Sequence, residues 1–211
     1  HPMFSPMLVH LQRQFTAGFD HQMFDLMAWE PKSIGGLQYN LMRNGFSPRF
    51  VDSPTDLRHE DADLYIIFAP TRPYESDEID HLVAFAENGG WILSAAGWNT
   101  YPMVRSLYDR FGVRLENVPL GASDGTAFNG AVKMADAYPV VGDGDGVQTL
   151  IESFGQPVAK IVRHGKGGLI AIGDSQFLYC KNLEGQNEQV VMENVRFFRD
   201  LMDATFARQA Q

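Results

Sequence analysis

Three kinds of residue pattern are scarce in this sequence, and each shortage excludes a class of protein. A single cysteine, Cys180, rules out a disulfide within the chain. No apolar run is long enough to cross a bilayer as a helix, so we expect no membrane span. The 17 Lys and Arg residues are outnumbered by 26 Asp and Glu, giving a net charge of −9. We therefore expect neither nucleic acid nor an anionic membrane as a partner, because both require basic patches.

The remaining composition is that of an ordinary globular protein. A hydrophobic fraction of 45% over 211 residues is enough for one domain with a layered core. We expect a single domain over residues 1–211, in which residues 1–13 form an N-terminal arm because their Pro, Met and His residues follow no clear period. The single cysteine leaves the cellular compartment open.

The clearest local pattern lies between Asp63 and Asn99. Leu64 to Phe68 is a short apolar run, which predicts a strand buried on both faces. Ser76 is the expected cap of a helix with an acidic first turn, which Asn88-Gly89-Gly90 ends. Trp91 to Ala95 predicts the next strand. A strand, helix and strand of these lengths form a parallel βαβ unit, which is almost always right-handed.

Similar patterns precede and follow this unit. Strands are predicted from Gln14 to Phe19 and from Phe46 to Val51, with a helix from Ser33 to Asn44 between them. Another helix is predicted from Thr100 to Phe111, with Pro102 in its first turn.

The C-terminal half has a weaker pattern up to residue 146. Ala131 to Met134 and Tyr138 to Val141 read as strands, and Val147 to Glu152 reads as either a strand or one helical turn. A β-hairpin is predicted from Pro157 to Ile172 around a Gly-rich turn, followed by a long amphipathic helix from Asn187 to Ala207.

Four segments carry a resemblance to a known family: Asp61–Pro70, Glu78-Ile79, Phe85–Leu93 and Lys166–Phe177. In their order, the chain resembles the class I glutamine amidotransferase-like superfamily over roughly residues 14–202. It is most similar to the branch with trehalose-utilisation-type domains and the amidotransferase-like domains of gliding-motility and intraflagellar-transport proteins. The resemblance implies an α/β fold with a three-layer, flavodoxin-like, mostly parallel sheet and helices on both faces. The C-terminal β-hairpin and the long C-terminal helix would complete it.

The catalytic residues of that family are missing. Its members carry a Cys on the sharp turn after the strand that corresponds to Trp91–Ala95, and a His and a Glu further along. Here that turn reads Ala96-Gly97-Trp98, and the later strand runs into Gly173-Asp174-Ser175-Gln176. Cysteine chemistry needs a thiolate with a base within hydrogen-bond reach, and Cys180 has no obvious His near it. We expect Cys180 to be a packed thiol and the protein to have no glutaminase activity.

Several polar residues follow predicted parallel strands, whose carboxyl ends share one edge of the sheet. Asp20 and His21 follow the first strand and are the candidate catalytic pair, since a carboxylate can orient an imidazole as a base or a metal ligand. The alternative is a strand-end cap beside a solvent-facing His. No cofactor or bound metal is predicted.

Two loops supply candidate ligand-binding residues. Thr71 and Arg72 follow the second strand of the central unit, where the Arg fork suits a carboxylate or phosphate, or else pairs with Glu75 or Asp77. Gly97, Trp98 and Asn99 follow the next strand and offer an aromatic platform with an amide. Alternatively, Trp98 covers the core.

Asp174 and Ser175 follow the last strand and complete the predicted ligand-binding set. Ser175 lacks the G-x-S-x-G context of a nucleophile, so capping and hydrogen bonding are the alternative role for both residues.

Three functions remain open on the sequence. The chain is a binding domain without amidotransferase activity, with a small polar ligand, for example a carbohydrate, or a protein as its partner. Alternatively, it is a hydrolase or lyase that uses Asp20 and His21 with Arg72, with or without a metal. The third function is a structural or homo-oligomerisation module of a larger assembly. Its interface would be residues 1–30, and a solvent-exposed cluster of Met23, Phe24, Met27 and Trp29 within them would favour this function.

Overall fold

The computed structural model describes residues 15–20, 32–58, 60–184 and 190–206. The predicted arm at residues 1–13, His21 and the cluster of Met23, Phe24, Met27 and Trp29 in the predicted interface lie outside them. The described part is a mixed α/β fold with four α-helices and eleven strands. The helices are α1 (Gly35–Arg43), α2 (Ser76–Glu87), α3 (Tyr101–Arg110) and α4 (Met192–Phe206). The strands are β1 (Phe15–Asp20), β2 (Phe46–Val51), β3 (Leu64–Phe68), β4 (Trp91–Ala95), β5 (Arg114–Leu115), β6 (Gly121–Ala127), β7 (Gly130–Ala137), β8 (Val140–Val141), β9 (Val147–Ser153), β10 (Gln156–His164) and β11 (Gly167–Ile172).

Nine of the strands form one sheet in the order β2-β1-β3-β4-β11-β10-β9-β6-β7. The pairings from β2 to β11 are parallel, and those from β11 to β7 are antiparallel. The expectation of a mostly parallel sheet is therefore corrected to a sheet that is half parallel and half antiparallel. The physical reason is that tight hairpin turns join β6 to β7, β9 to β10 and β10 to β11, and a two-residue turn can join only antiparallel neighbours.

Both faces of the parallel half are buried, as the apolar run of β3 predicts. Leu64, Ile66 and Phe68 belong to one hydrophobic cluster, together with residues of α1 and α4. Tyr65 and Ile67, which alternate with them, belong to a second cluster with residues of α2 and α3. Alternate side chains of a strand point to opposite faces, so the sheet separates the two clusters.

The register of the parallel strands brings four strand ends to one edge of the sheet. Phe68 is level with Ala95, and Ala95 is level with Ile172. Strand β1 runs beside β3, with Phe19 level with Ile66, so Asp20 also lies at this edge. We call the backbone that leaves these four strand ends the carboxyl rim. The predicted site requires the carboxyl ends of these strands to lie at one edge of the sheet, and the backbone meets this requirement.

The sequence patterns located the central unit well and missed one strand. The bounds of β3 and β4 are those predicted, and α2 ends just before Asn88-Gly89-Gly90. The predicted cap of α2 is wrong, because the N-cap is Glu75, whose N–H donates to Glu78, and Ser76 is the first residue of the helix. Strand β6 was not predicted, because its sequence GASDGTA contains almost no strand-favouring residue. It pairs with β7 through a turn in which Phe128 and Asn129 both have positive φ.

Two features are not found in the described part of the chain. No helix there is long and apolar enough to cross a membrane. Within the same residues, no group of three or more His, Cys, Asp or Glu side chains is placed to hold a metal ion.

Candidate functional site

The loop after β4 is the part of the carboxyl rim that the surrounding structure defines best. The Ala96 N–H donates to the Ile172 carbonyl at 2.9 Å, which extends the parallel pairing one residue past the strand. The Gly97 carbonyl then accepts from the Tyr101 N–H at 2.9 Å, and the Gly97 N–H donates to Thr100 Oγ1 at 3.1 Å. The chain thus turns directly from the strand into α3, and the backbone of this loop is held at both ends.

Three of the predicted ligand-binding residues meet at this turn. A Cβ atom built on Gly97 would lie 3.0 Å from Ser175 Oγ and 3.2 Å from Asn99 Oδ1. The hydroxyl and the amide oxygen therefore converge on the space beside Gly97, where a side chain would crowd both of them. Gly97 is itself buried, whereas Ser175 is half-buried and Asn99 is exposed.

Trp98 is the aromatic residue of the same loop. Its side chain is 39% exposed, and its ring lies 5.7 Å from that of Tyr101 at an angle of 31°. Tyr101 in turn lies 6.0 Å from the buried ring of Tyr108, whose hydroxyl donates to Ser94 Oγ at 3.0 Å. The tyrosines support one side of the indole, and a substantial part of it faces solvent.

Asp174 has a different role from the predicted ligand contact. Its side chain is fully buried, and one oxygen accepts from the Ala135 and Asp136 N–H groups at 2.6 and 3.0 Å. The other oxygen accepts from the Gln176 N–H at 2.8 Å. Burial raises the pKa of the Asp174 carboxyl, and these main-chain hydrogen bonds oppose that increase. Oδ2 fastens the end of β7 to the rim and Oδ1 holds the rim loop itself, which is the capping and hydrogen-bonding role that the sequence analysis gave as the alternative.

Arg72 is held by an acid other than the two weighed from the sequence. Its guanidinium donates to both carboxylate oxygens of Glu78, at 2.7 and 2.8 Å, and also to the Pro73 carbonyl. Glu78 is buried on the first turn of α2, and it accepts a further hydrogen bond from the Glu75 N–H. The hydrogen bonds from Arg72 lower the pKa of Glu78. The Arg fork that was predicted to bind a ligand is thus engaged within the protein, and Thr71 stays exposed beside it.

Cys180 is a packed thiol, as the sequence analysis expects. It is fully buried, and its sulfur accepts from the Gly36 N–H at 3.0 Å and lies 3.4 Å from Ser33 Oγ. The sulfur therefore satisfies one of the free N–H groups in the first turn of α1. No sequence signal links these residues, which are about 145 positions apart.

The predicted catalytic pair is only partly within the described residues. The backbone of Asp20 lies at the carboxyl rim, whereas His21 is outside the described part of the chain. The roles of Asp20 and His21 therefore stay a prediction.

Sequence reasoning also missed residues that shape this loop. Thr100 fixes the Gly97 backbone through its hydroxyl, and Tyr101 forms the second ring of the aromatic pair. A signal for Thr100 does exist, because Thr side chains in turns often bond nearby main-chain groups, and here the bond is to Gly97 upstream of the helix. The pairing of Tyr101 with Trp98 depends on the helix turn and carries no comparable signal.

Comparison with known proteins gives a likeness of fold alone. No family model and no curated protein matches the sequence. Among solved structures, the mmIFT52 N-terminal domain is similar with a TM-score of 0.64 at 12% identity, covering 88% of this chain and 94% of that domain. A cytoplasmic protein from Salmonella typhimurium LT2 is similar with a TM-score of 0.61 at 10% identity, covering 92% of this chain and 99% of that one.

Glycosidases are also among the similar structures. The exo-β-1,4-mannosidase Op5Man5 from an Opitutaceae bacterium has a TM-score of 0.62 at 13% identity, covering 96% of this chain and 38% of the enzyme. The GH42 β-galactosidase Gan42B from G. stearothermophilus has a TM-score of 0.59 at 13% identity, covering 93% of this chain and 30% of the enzyme. This chain therefore spans about a third of each enzyme.

Proposed function

We propose that this chain is a binding domain of the amidotransferase-like superfamily, with the three-layer, flavodoxin-like arrangement of that family and without its chemistry. Its ligand is a small polar molecule bound at the carboxyl rim. The supporting observation is that Ser175 Oγ and Asn99 Oδ1 both lie close to Gly97, on the turn where the family places its thiol, and that the next residue, Trp98, is 39% exposed. The thiol that the chain does have is buried under α1.

The groups at this turn favour an uncharged ligand with several hydroxyls. The Ser175 hydroxyl and the Asn99 amide can each donate and accept hydrogen bonds. The Trp98 ring offers an apolar surface of the size of a sugar ring. Arg72, the predicted anion-binding group of the neighbouring loop, is paired with Glu78. We therefore name a carbohydrate as the ligand class, ahead of a phosphate or a carboxylate.

The likeness to parts of two glycosidases gives this proposal some further support. In both enzymes a region of this fold makes up about a third of a protein that acts on a sugar. A fold can host many functions, so this is support by analogy. The alternative hydrolase or lyase needs Arg72 to be free for a substrate, and its bidentate pairing with Glu78 weighs against that.

The test is a thermal-shift titration with methyl glycosides of mannose and galactose on the parent and three variants. Ligand that binds only the folded state raises the melting temperature. We expect an increase in the parent that is lost in Trp98→Ala and in Asn99→Ala. The control is Tyr39→Ala, which removes another exposed aromatic ring, on α1, and should keep the increase. The proposal is wrong if no glycoside raises the melting temperature, or if the increase persists in both rim variants.

A further inference from the structure

Phe154 is a large apolar side chain in an unfavourable position. Its side chain is 73% exposed, at the tip of the turn between β9 and β10. Its φ is 51° and that of the following Gly155 is 71°, so a bulky residue occupies a left-handed backbone position that usually selects Asn, Asp or Gly. An aromatic residue that is both strained and exposed suggests a role outside folding.

The turn that carries Phe154 is fixed against its neighbour. Ser153 Oγ donates to Ser123 Oγ at 2.9 Å and lies 3.1 Å from the Asp124 carbonyl, which joins the turn to β6. Phe154 therefore stands on a braced hairpin.

A groove of about 510 Å³ begins at Phe154 and continues along the outer strands of the sheet. Asp124 and Lys133 face each other across β6 and β7, with Lys133 Nζ 2.8 Å from Asp124 Oδ1. Both side chains are well exposed, so their ion pair is weak and can be exchanged for contacts with a ligand. The remaining lining is Ala122, Ser123 and Met134.

We propose that this groove is a second binding site, separate from the carboxyl rim, and that it binds a neutral pyranose. The Phe154 ring would stack on the C–H face of the sugar, Asp124 would accept hydrogen bonds from adjacent hydroxyls, and Lys133 would donate to a third oxygen. Asp124 and Lys133 lie on the adjacent strands β6 and β7, and Phe154 is in the turn that follows β9, the next strand of the sheet. With neighbouring strands about 4.8 Å apart, the three residues span about 10 Å, which is the length of one or two sugar rings. One carboxylate and one ammonium leave the groove without net charge, which suits a neutral ligand.

The test is an NMR titration of the full chain with methyl β-D-glucopyranoside and with cellobiose, at tens of millimolar. We expect amide shifts at Phe154, Gly155, Asp124 and Lys133, and an affinity that falls about tenfold in Phe154→Ala. Phe128→Ala is the matched control, because Phe128 is also an exposed Phe with positive φ at a hairpin turn, outside this groove. It should bind both sugars like the parent.

A second pair of variants separates this site from the rim and from a loss of folding. Asp124→Asn should weaken binding by about threefold, without touching the turn. Trp98→Ala should leave these amide shifts unchanged. The absence of sugar binding at the rim can therefore be distinguished from its absence in this groove. Unchanged sugar binding in both Phe154→Ala and Asp124→Asn, or shifts confined to other residues, would overturn the proposal. So would a Phe154→Ala variant that differs from the parent only in self-association, since the surface would then be a protein interface.

Discussion

Glu78 shows how one buried carboxylate can hold a rim loop in place. It accepts two hydrogen bonds from Arg72 and one from the Glu75 N–H, and it is almost completely buried. The hydrogen bonds from Arg72, the largest influence, lower its pKa below the ordinary value of 4.5. A carboxyl whose folded-state pKa is lowered stabilises the fold above its unfolded pKa, and this stabilisation is lost as the pH falls through the folded value.

We therefore predict that Glu78→Gln lowers the free energy of unfolding by about 1 kcal/mol at neutral pH, because Arg72 is half exposed and its attraction is screened by solvent. The difference from the parent should shrink as the pH is lowered to about 3. Denaturant titrations at several pH values measure this. The control is Asp80→Asn on the same helix, whose exposed pair with Arg110 should contribute less than about 0.5 kcal/mol. A difference for Glu78→Gln that does not depend on pH would contradict the account.

Asp174 anchors the rim through its negative charge and both of its oxygens. Three N–H groups donate hydrogen bonds to the Asp174 carboxylate. Replacement by Asn keeps the size of the side chain, but its NH₂ group then faces at least one of these donors, which loses its acceptor. We predict that Asp174→Asn costs about 1–3 kcal/mol of unfolding free energy, the cost of leaving a buried donor unsatisfied.

Thermal and denaturant unfolding of Asp174→Asn would measure this cost. Asp136→Asn is the comparison, because removing the Asp136 charge relieves repulsion on Asp174 and should leave stability unchanged or slightly higher. Equal stability of Asp174→Asn and the parent would show that the carboxylate does not fasten β7.

At the scale of elements, α4 completes the outer edge of the sheet. The buried Asn194 of α4 accepts from the Lys133 N–H at 2.8 Å and donates to the Lys133 carbonyl at 2.9 Å and to the Asn182 carbonyl at 2.8 Å. One side chain thus takes the place of a neighbouring strand for this residue of β7. An edge strand satisfied in this way presents fewer free groups for pairing with other chains.

We predict that Asn194→Ala destabilises the protein by about 2–3 kcal/mol and speeds amide exchange at Lys133. Hydrogen exchange followed by NMR tests both parts of the prediction. Arg196→Ala, at an exposed position of α4, should change neither quantity by much. Protection of the Lys133 amide in Asn194→Ala would show that the edge does not depend on this side chain.

The elements differ in how far the sequence could specify them. The bounds of β3, α2 and β4 follow from local signals that agree: an apolar run, an acidic first turn and a Gly stop with φ of 118° at Gly89. Strand β6 has no such signal, and it is a strand because β7 pairs with it. The conformation of β6 is therefore set by tertiary contacts, and the strand propensities of its residues alone cannot reveal it.

The same distinction applies to the candidate site. The positions of the rim loops follow from strand order and register, which the pattern of parallel βαβ units predicts. The hydrogen-bond partners of Arg72 and Asp174 cannot be predicted from this pattern. They depend on which acceptor the packed fold places within 3 Å of Arg72, and on which donors it places within 3 Å of Asp174. Glu78 is one helical turn from Glu75, and the choice between them is made by the start of α2.

At the scale of the whole molecule, the one thiol of the chain is buried away from the carboxyl rim, whether or not the proposed amidotransferase-like arrangement is right. We predict that the native protein releases no ammonia from glutamine, and that Cys180 reacts with a thiol reagent only after unfolding, because it is fully buried. Reaction with Ellman's reagent, with and without denaturant, measures the second part. Rapid labelling of Cys180 in the native protein, or ammonia release that is lost in Cys180→Ser, would contradict the account.

Binding of a small polar ligand at the turn after β4 is the proposal on which the function rests. It is tested by a map of backbone amide shifts during titration with the methyl glycoside that gives the largest thermal shift. We expect the largest shifts at Gly97, Trp98, Asn99 and Ser175, and we expect them to disappear in Trp98→Ala. Saturating binding with shifts elsewhere and none at these four amides would contradict it.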